Sequence, residues 1–256
     1  MIELKITFLG QCGFLLEFQE HRIVIDPCLS DFLDVNMSKD DVQWKREFPS
    51  PATLLELNPT MVLLSHMHYD HLDPWTIGPY VAAGGKALFV GPFAVEERLR
   101  NEHVKDIKFI DEGMDFEEVP IYAIPCAHPE FHKDENGHYK ELCYVIGDGE
   151  ERIFFGGDMM VYPGLVERVR EMNCKLALLP CNGWDEWRKN HNIVGNTSAE
   201  EAADFARDIG VTTFVPMHHD LFKINSCSEA VIDEAAEKAG VQVMKMKVMQ
   251  CVVVGE

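Results

Sequence analysis

The feature that most limits what this chain can fold into is an apolar run that ends in a cluster of histidines and aspartates. Residues 60–65 read Thr-Met-Val-Leu-Leu-Ser, and residues 66–73 follow at once with three histidines and two aspartates. The apolar run predicts a buried strand. Sheets of α/β proteins bind ligands at the carboxyl ends of their strands. The sequence therefore predicts a sheet edge lined with imidazoles and carboxylates.

Short strands and helices alternate along the rest of the chain. Residues 4–26 have the pattern of a strand meander, and residues 27–59 read as a long irregular connection of the kind that usually lines or covers a site. The last third interleaves strands with helices, one of which opens at Thr197, where Glu200 predicts a capping box. This pattern predicts two sheets covered by helices. Because no linker-like stretch divides the chain, we expect one domain over residues 1–256.

Composition excludes several classes of function. A formal charge of −20 disfavours nucleic acid as a partner, because binding to polyanions depends on Lys and Arg. No apolar run approaches the ~20 residues that span a bilayer, so we expect no membrane anchor. The amino terminus lacks the pattern of a signal peptide, and the eight cysteines are scattered without a CxxC pair. We therefore expect a cytoplasmic protein with reduced thiols, which acts on a small molecule. A homo-oligomer is compatible with the sequence.

The histidine cluster is dense enough to predict a metal site. If the strand passes into a tight loop, His66 and His68 can point the same way, while Asp70 and His71 turn toward a neighbouring position. One segment can then serve two ions about 3.5 to 4 Å apart, as two-metal hydrolases require. The alternative is a surface loop that is rich in histidine without binding anything. A lone histidine would favour that alternative, whereas this cluster favours metal binding.

The pattern His66-x-His68-x-Asp70-His71 resembles the signature of the metallo-β-lactamase superfamily. Later motifs of that superfamily follow in order, each after a predicted strand: His128, then Gly156-Gly157-Asp158, then His218. The resemblance covers nearly the whole chain. It implies an αββα sandwich, with two mixed β-sheets flanked by helices, and a hydrolase that uses one or two metal ions.

The same resemblance implies a ligand set. His66, His68 and His128 would hold one metal, Asp70, His71 and His218 would hold a second, and Asp158 would bridge them. A carboxylate between two cations offsets their repulsion, and a water shared by both ions loses a proton near neutral pH. Zinc, manganese and iron all suit such a site. Two alternatives stay open, since His132 or His138 could replace His128, and His219 follows His218 directly.

A narrower resemblance is to the ascorbate-6-phosphate lactonase branch of the superfamily. It rests on the segments 8–14, 157–158, 176–179, 182–183, 197–200 and 216–222. Members of that branch are cytoplasmic, open a sugar-phosphate lactone and are associated with manganese. This chain is shorter than those members, and its loop from Asn182 to Asn196 differs from theirs.

We therefore predict a metal-dependent lactonase or ester hydrolase, whose substrate is a small sugar lactone with or without a phosphate. Asp70 and His219 are the predicted catalytic residues. Predicted substrate-binding residues are Tyr69, Asn182, Arg188, Lys189 and Lys223. The last three are the cations that we would place near a phosphate, although each could be an ordinary surface charge.

Two other functions compete with this prediction. A phosphodiesterase would use the same metal pair, because two ions stabilise a phosphorane-like transition state as readily as a tetrahedral one. A metal-binding protein or a di-iron redox protein could also share the fold. A redox role usually requires an attached flavin or rubredoxin-like domain, for which this chain has no room.

Overall fold

Two seven-stranded sheets form the centre of the molecule. The structure is a computed structural model that describes residues 4–116, 119–149 and 151–254. The first sheet contains β1 (Lys5–Gly10), β2 (Gly13–Phe18), β3 (His21–Ile25), β4 (Met61–Leu63), β5 (Leu88–Gly91), β6 (Ile107–Phe109) and β14 (Cys251–Val253). Its order is β14-β1-β2-β3-β4-β5-β6. Pairing is antiparallel from β14 to β3 and parallel from β3 to β6.

The second sheet has the same mixture of strand directions. It contains β7 (Asp115–Phe116), β8 (Ile121–Pro125), β9 (Leu142–Ile146), β10 (Ile153–Phe155), β11 (Leu176–Pro180), β12 (Thr213–Met217) and β13 (Gln242–Val243). Its order is β13-β12-β11-β10-β9-β8-β7, parallel from β13 to β10 and antiparallel beyond. Both sheets are therefore mixed, as the sequence predicts.

Alternation along the strands builds three apolar layers. On β4, Met61 and Leu63 face the core between the sheets, whereas Val62 packs in the layer outside the first sheet. On β10, Phe155 joins the core between the sheets and Phe154 packs outside the second sheet. Successive side chains of a strand point to opposite faces, and strands that are buried on both faces are apolar throughout. The sandwich is therefore covered on both outer faces.

Helices supply those covers. They are α1 (Phe32–Met37), α2 (Leu54–Leu57), α3 (Pro74–Ala82), α4 (Glu96–Asn101), α5 (Leu165–Glu171), α6 (Glu186–Asn190), α7 (Ala199–Ile209) and α8 (Glu229–Ala239), with short 3₁₀ turns at Phe93–Val95 and Lys223–Asn225. Side chains of α2, α3 and α4 pack outside the first sheet, and those of α5, α7 and α8 pack outside the second. No helix in the described part of the chain is long and apolar enough to cross a membrane.

The predicted fold class is confirmed, with one local correction. The capping box of α7 lies one residue later than predicted: Ser198 caps the backbone of Glu201, and the Glu201 side chain caps Ser198 in return. Thr197 is buried, and its hydroxyl donates to the carbonyl oxygen of Pro180 at 2.7 Å. Because that hydroxyl bonds to the end of β11, it does not cap the helix.

Candidate metal centre

Several strands of both sheets end at the same place. Parallel strands present their carboxyl ends at one edge of a sheet, and polar side chains follow the apolar strands there. The residues concerned are Asp26 after β3, Ser65 and His66 after β4, His128 after β8, Asp158 after β10 and His218 after β12. A cluster of imidazoles and carboxylates therefore forms where the strand ends of the two sheets meet.

Three imidazoles converge in the first half of this cluster. The Nδ1 atom of His68 lies 2.9 Å from Nε2 of His66 and 3.2 Å from Nε2 of His128. A hydrogen on one of these nitrogens can satisfy only one of the other two, so direct hydrogen bonding does not account for the arrangement. One ligand atom from each of these histidines and one from Asp158 lie within 4.8 Å of one another. This geometry suits a cation.

Asp158 connects this first half to a second one. Its Oδ2 lies 3.6 Å from Nε2 of His128 and 3.4 Å from Nε2 of His218, and its Oδ1 lies 3.1 Å from Nε2 of His71. Asp70 completes the second half, with Oδ2 at 3.1 Å from Nε2 of His218 and 3.6 Å from Nε2 of His71. The carboxylate of Asp158 thus lies between two groups of imidazoles.

The donor set fits divalent transition metals. Nε2 of His71 is buried and has no hydrogen-bond partner among the described residues, although two carboxylates surround it. Imidazole nitrogens and carboxylate oxygens are the ligands that zinc, manganese and iron share. Each half of the cluster contains enough of these nitrogen and oxygen ligands for one ion, and Asp158 lies close to both halves.

The pKa values of the histidines differ between the two halves. Burial lowers the pKa of His128 to about 4 and, together with the neighbouring imidazole of His71, lowers that of His66 well below its usual range. These two rings are neutral at pH 7, as metal binding requires. Burial also disfavours the charge on His218, but Asp158 and Asp70 outweigh it and raise its pKa to about 9. A metal in that half must therefore displace a proton.

Of the open alternatives for the first half, the structure brings His128 to the cluster. His132 lies elsewhere, with Nδ1 at 3.3 Å from Oε1 of Glu141. His138 contacts Asp134 and stacks on the ring of Phe93 at 3.9 Å between centroids. Likewise, His218 points to Asp158, whereas the main-chain oxygen of its neighbour His219 accepts a hydrogen bond from Cys227.

The sequence interpretation missed three residues around the centre. Asp26 accepts hydrogen bonds from the backbone and hydroxyl of Ser65 and lies 2.7 Å from Nδ1 of His71. Gln11, in the turn between β1 and β2, donates from Nε2 to Asp70 at 2.9 Å. Cys12 follows it, and its sulfur lies 3.9 Å from Oδ1 of Asp158. Gln11 and Asp26 each follow a strand directly, which is a weak signal because polar residues are common at such turns.

A cavity of about 200 Å³ opens beside the centre. Site residues form its floor, namely His68, Asp70, His128, Asp158 and His218, and Tyr69 also lines it. The ring of Tyr69 is held between Phe32, at 4.7 Å between centroids, and the guanidinium of Arg98, at 3.8 Å from the ring centroid.

The other predicted substrate-binding residues lie outside the described lining of this cavity. Asn182 is buried and donates to Asn225, which does line the cavity. Arg188 pairs with Asp185 at 2.7 Å, and Lys189 pairs with Glu186 at 3.1 Å. Lys223 begins the 3₁₀ turn that ends at Asn225, and His219 is likewise absent from the described lining.

A sandwich of two mixed sheets with this donor set at one edge defines a class of α/β proteins that hold metal ions at their strand ends. The model of the family described as "Beta-lactamase superfamily domain" matches residues 21–219. The chain belongs to that superfamily, on the metallo-β-lactamase fold. The matched range contains every predicted metal ligand.

Individual relatives and a solved structure agree with this family. The chain is 26% identical to a UPF0173 metal-dependent hydrolase of Deinococcus radiodurans, with 94% of the chain and 95% of the relative covered. It is 25% identical to the mitochondrial N-acyl-phosphatidylethanolamine-hydrolyzing phospholipase D of Saccharomyces cerevisiae, with 86% of the chain covered. The chain spans 60% of the length of the first mycobacterial relatives and 48% of the yeast protein. Igni18, a metallo hydrolase of Ignicoccus hospitalis, has the same fold, with a TM-score of 0.71, 18% identity and 98% of each chain covered.

Proposed function

We propose that this protein is a metal-dependent hydrolase, that it cleaves a small carboxylic ester and that a lactone is its favoured substrate. The observation that carries the proposal is the position of Asp158 between two groups of imidazoles, at the floor of a cavity lined partly by apolar side chains. A substrate in such a cavity has its reacting bond next to the imidazoles and carboxylates of the floor, while the walls bind the rest of the small molecule.

The proposed ligands of the first ion are His66, His68 and His128. Those of the second are Asp70, His71 and His218, with Asp158 shared between the two ions. Zinc or manganese, or alternatively iron, would suit this donor set. When bound, the ions supply Lewis acidity, which polarises a carbonyl group and makes water more acidic.

A residue of the chain then accepts and returns the proton that the attacking water loses. Asp70 lines the cavity, and its Oδ2 is held by Nε2 of Gln11 at 2.9 Å. We assign to its Oδ1 the proton that the attacking water loses, which Asp70 then passes to the departing alkoxide. The fixed Oδ2 keeps the carboxylate aimed at the cavity. His219 is the second catalytic residue predicted from sequence, and its position supports a role behind His218 rather than one in contact with the substrate.

Phosphodiester hydrolysis is the second candidate function. The name of the yeast relative describes a phospholipase D that hydrolyses an N-acyl-phosphatidylethanolamine, and 86% of this chain aligns with that protein. Two metal ions suit both reactions. The choice between them therefore depends on the cavity, whose described lining contains no lysine or arginine to neutralise a phosphate.

A parallel substrate assay tests the proposal. The protein is freed of metal, reloaded separately with zinc, manganese or iron, and assayed with γ-butyrolactones, p-nitrophenyl acetate and bis(p-nitrophenyl) phosphate. We expect turnover of the lactones and the acetate that disappears in Asp158→Ala. Turnover of the phosphodiester alone would replace the ester proposal, and no turnover of any compound with any metal would remove it.

A further inference from the structure

Beyond its metal-facing floor, the cavity is lined by both apolar side chains and amides. The apolar lining residues are Leu33 and Met37 of α1, Trp44, Ile193 and Val194. The amides are those of Asn192 and Asn225, of which Asn225 is 4% exposed and ends the 3₁₀ turn after β12. A bound molecule therefore meets hydrocarbon as well as amide groups.

The charge of these walls selects against anions. Among the described residues that line the cavity, none is a lysine or an arginine. Two of the three cations predicted from sequence are engaged elsewhere, since Arg188 binds Asp185 and the carbonyl oxygen of Ser226, and Lys189 binds Glu186. An anionic substituent directed at Leu33, Trp44 and Ile193 would lose its hydration without gaining a partner, which is costly.

The amide of Asn225 is oriented by two further asparagines. Nδ2 of Asn196 donates to Oδ1 of Asn182 at 3.1 Å, and Nδ2 of Asn182 donates to Oδ1 of Asn225 at 2.9 Å. All three side chains are buried. Because the oxygen of Asn225 accepts the last bond of this chain, its amide N–H groups are the part that is left for the cavity.

We infer that the cavity binds an uncharged substrate, whose apolar substituent lies against Leu33, Trp44 and Ile193 and whose hydrogen-bond acceptor receives an N–H from Asn225. The inference rests on the proposed ester hydrolysis for the identity of the reacting bond. A neutral lactone that carries a short alkyl chain has both features. Asn182 and Asn196 are positioning residues, which act through Asn225.

Substitution of Asn225 by aspartate tests the contribution of its side-chain N–H donor. Asn225→Asp keeps an oxygen that can accept from Asn182, and it replaces the free N–H groups by a second acceptor. Asn136 is an exposed turn residue, so Asn136→Asp adds the same charge away from the cavity and serves as the control. Asn182→Ala leaves Asn225 in place but removes the group that orients it.

Two measurements are made on the metal-loaded protein. Steady-state kinetics compare γ-ethyl-γ-butyrolactone with the analogue whose alkyl chain ends in a carboxylate. Calorimetry measures the affinity of the matching neutral lactam, which is not turned over during the measurement. For Asn225→Asp we expect KM for the neutral lactone to rise about 10-fold, kcat to change less, and lactam affinity to fall about 10-fold, because a hydrogen bond is lost. Asn182→Ala should also raise KM and lower lactam affinity, but to a smaller extent. Asn136→Asp should change neither KM nor lactam affinity.

The outcomes separate this inference from the proposed function. A carboxylate analogue that is cleaved as well as the neutral lactone, or an Asn225→Asp protein with unchanged KM and lactam affinity, overturns the inference while ester hydrolysis stands. If no ester is cleaved, the proposed function fails, and lactam binding still decides whether Asn225 recognises a neutral acceptor. If Asn225→Asp does not fold, Asn182→Ala decides by the same two measurements.

Discussion

Asp26 and His71 form a completely buried pair, with Oδ2 of the aspartate 2.7 Å from Nδ1 of the histidine. A carboxylate only accepts hydrogen bonds, so Nδ1 of His71 carries the hydrogen. The other ring nitrogen, Nε2, is then directed at Asp158 and Asp70. A carboxylate that holds a metal-binding histidine in this way fixes its tautomer and increases its basicity.

The first prediction follows from this pair. Asp26→Ala should lower metal affinity about 10- to 100-fold, because His71 loses the partner that orients it. Competition with a chromophoric zinc chelator measures the change. Asp204→Ala removes an exposed aspartate that contacts Arg207 and is the control. Unchanged zinc affinity in Asp26→Ala would show that His71 needs no such support.

The second prediction concerns Asp158, whose oxygens lie near His71, His128 and His218. Asp158→Ala should lower kcat by about 100-fold or more, since the carboxylate common to both halves is removed. The protein should still melt cooperatively, because Asp158 is not part of the apolar layers. Kinetics on an ester that the wild type cleaves, combined with a thermal melt, check both parts. Near-normal turnover would contradict the proposed bridging role.

The metal-facing residues at the strand ends were easier to predict from the sequence than the residues that hold them in position. His66, His68 and His71 were recognisable because they are crowded together after an apolar strand, and Asp158 because two glycines and a strand precede it. Asp26 gave no comparable signal, since a single aspartate after a strand is common at turns. Its role arises from the parallel pairing of β3 with β4, which brings positions 39 residues apart into contact.

The substrate side was the least predictable part. Arg188 and Lys189 lie just beyond a segment with the lactonase pattern, yet in the structure they pair with Asp185 and Glu186. Conversely, nothing local in the sequence marks Asn225 as a cavity residue. Its place depends on Asn182 and Asn196, which approach it from a distant loop.

The third prediction is a pH dependence of stability that does not involve the metal centre. Burial raises the pKa of Glu141 from its ordinary value of 4.5 to about 7, even though the nearby His132 opposes the shift. Between these values the folded protein binds more protons at this carboxyl than the unfolded chain does. The free energy of unfolding therefore falls as the pH rises from about 4.5 to 7, and the loss persists above pH 7.

Glu141→Gln should remove this loss. After allowance for solvent screening, we expect the variant to gain about 1 to 2 kcal/mol relative to the wild type at pH 8 and little at pH 4.5. Urea unfolding at both pH values measures it. Glu135→Gln, in the exposed turn of the same loop, is the control. An equal difference between Glu141→Gln and the wild type at both pH values would contradict the assigned titration.

The last prediction distinguishes a structural Arg188 from one that recognises a substrate phosphate. Arg188 is 8% exposed, donates from Nη2 to the carbonyl oxygen of Ser226 at 2.8 Å and pairs through Nη1 with Asp185 at 2.7 Å. It thereby ties α6 to the segment that follows Asn225. Removing a buried, charged hydrogen-bond donor leaves its acceptors without a partner, so Arg188→Ala should lower the free energy of unfolding by about 1 to 3 kcal/mol.

Lys189 supplies the matched comparison, because it is the neighbouring cation and its pair with Glu186 is exposed. Lys189→Ala should change the free energy of unfolding by less than about 0.5 kcal/mol, as is usual for an exposed ion pair. Chemical denaturation of both variants is combined with kinetics on a lactone and its phosphorylated form. If Arg188 recognised a phosphate, Arg188→Ala would raise KM for the phosphorylated lactone selectively and leave stability unchanged. We expect the reverse, a loss of stability with the same ratio of kcat/KM for the two lactones as in the wild type, because the guanidinium is already bound to Asp185 and Ser226.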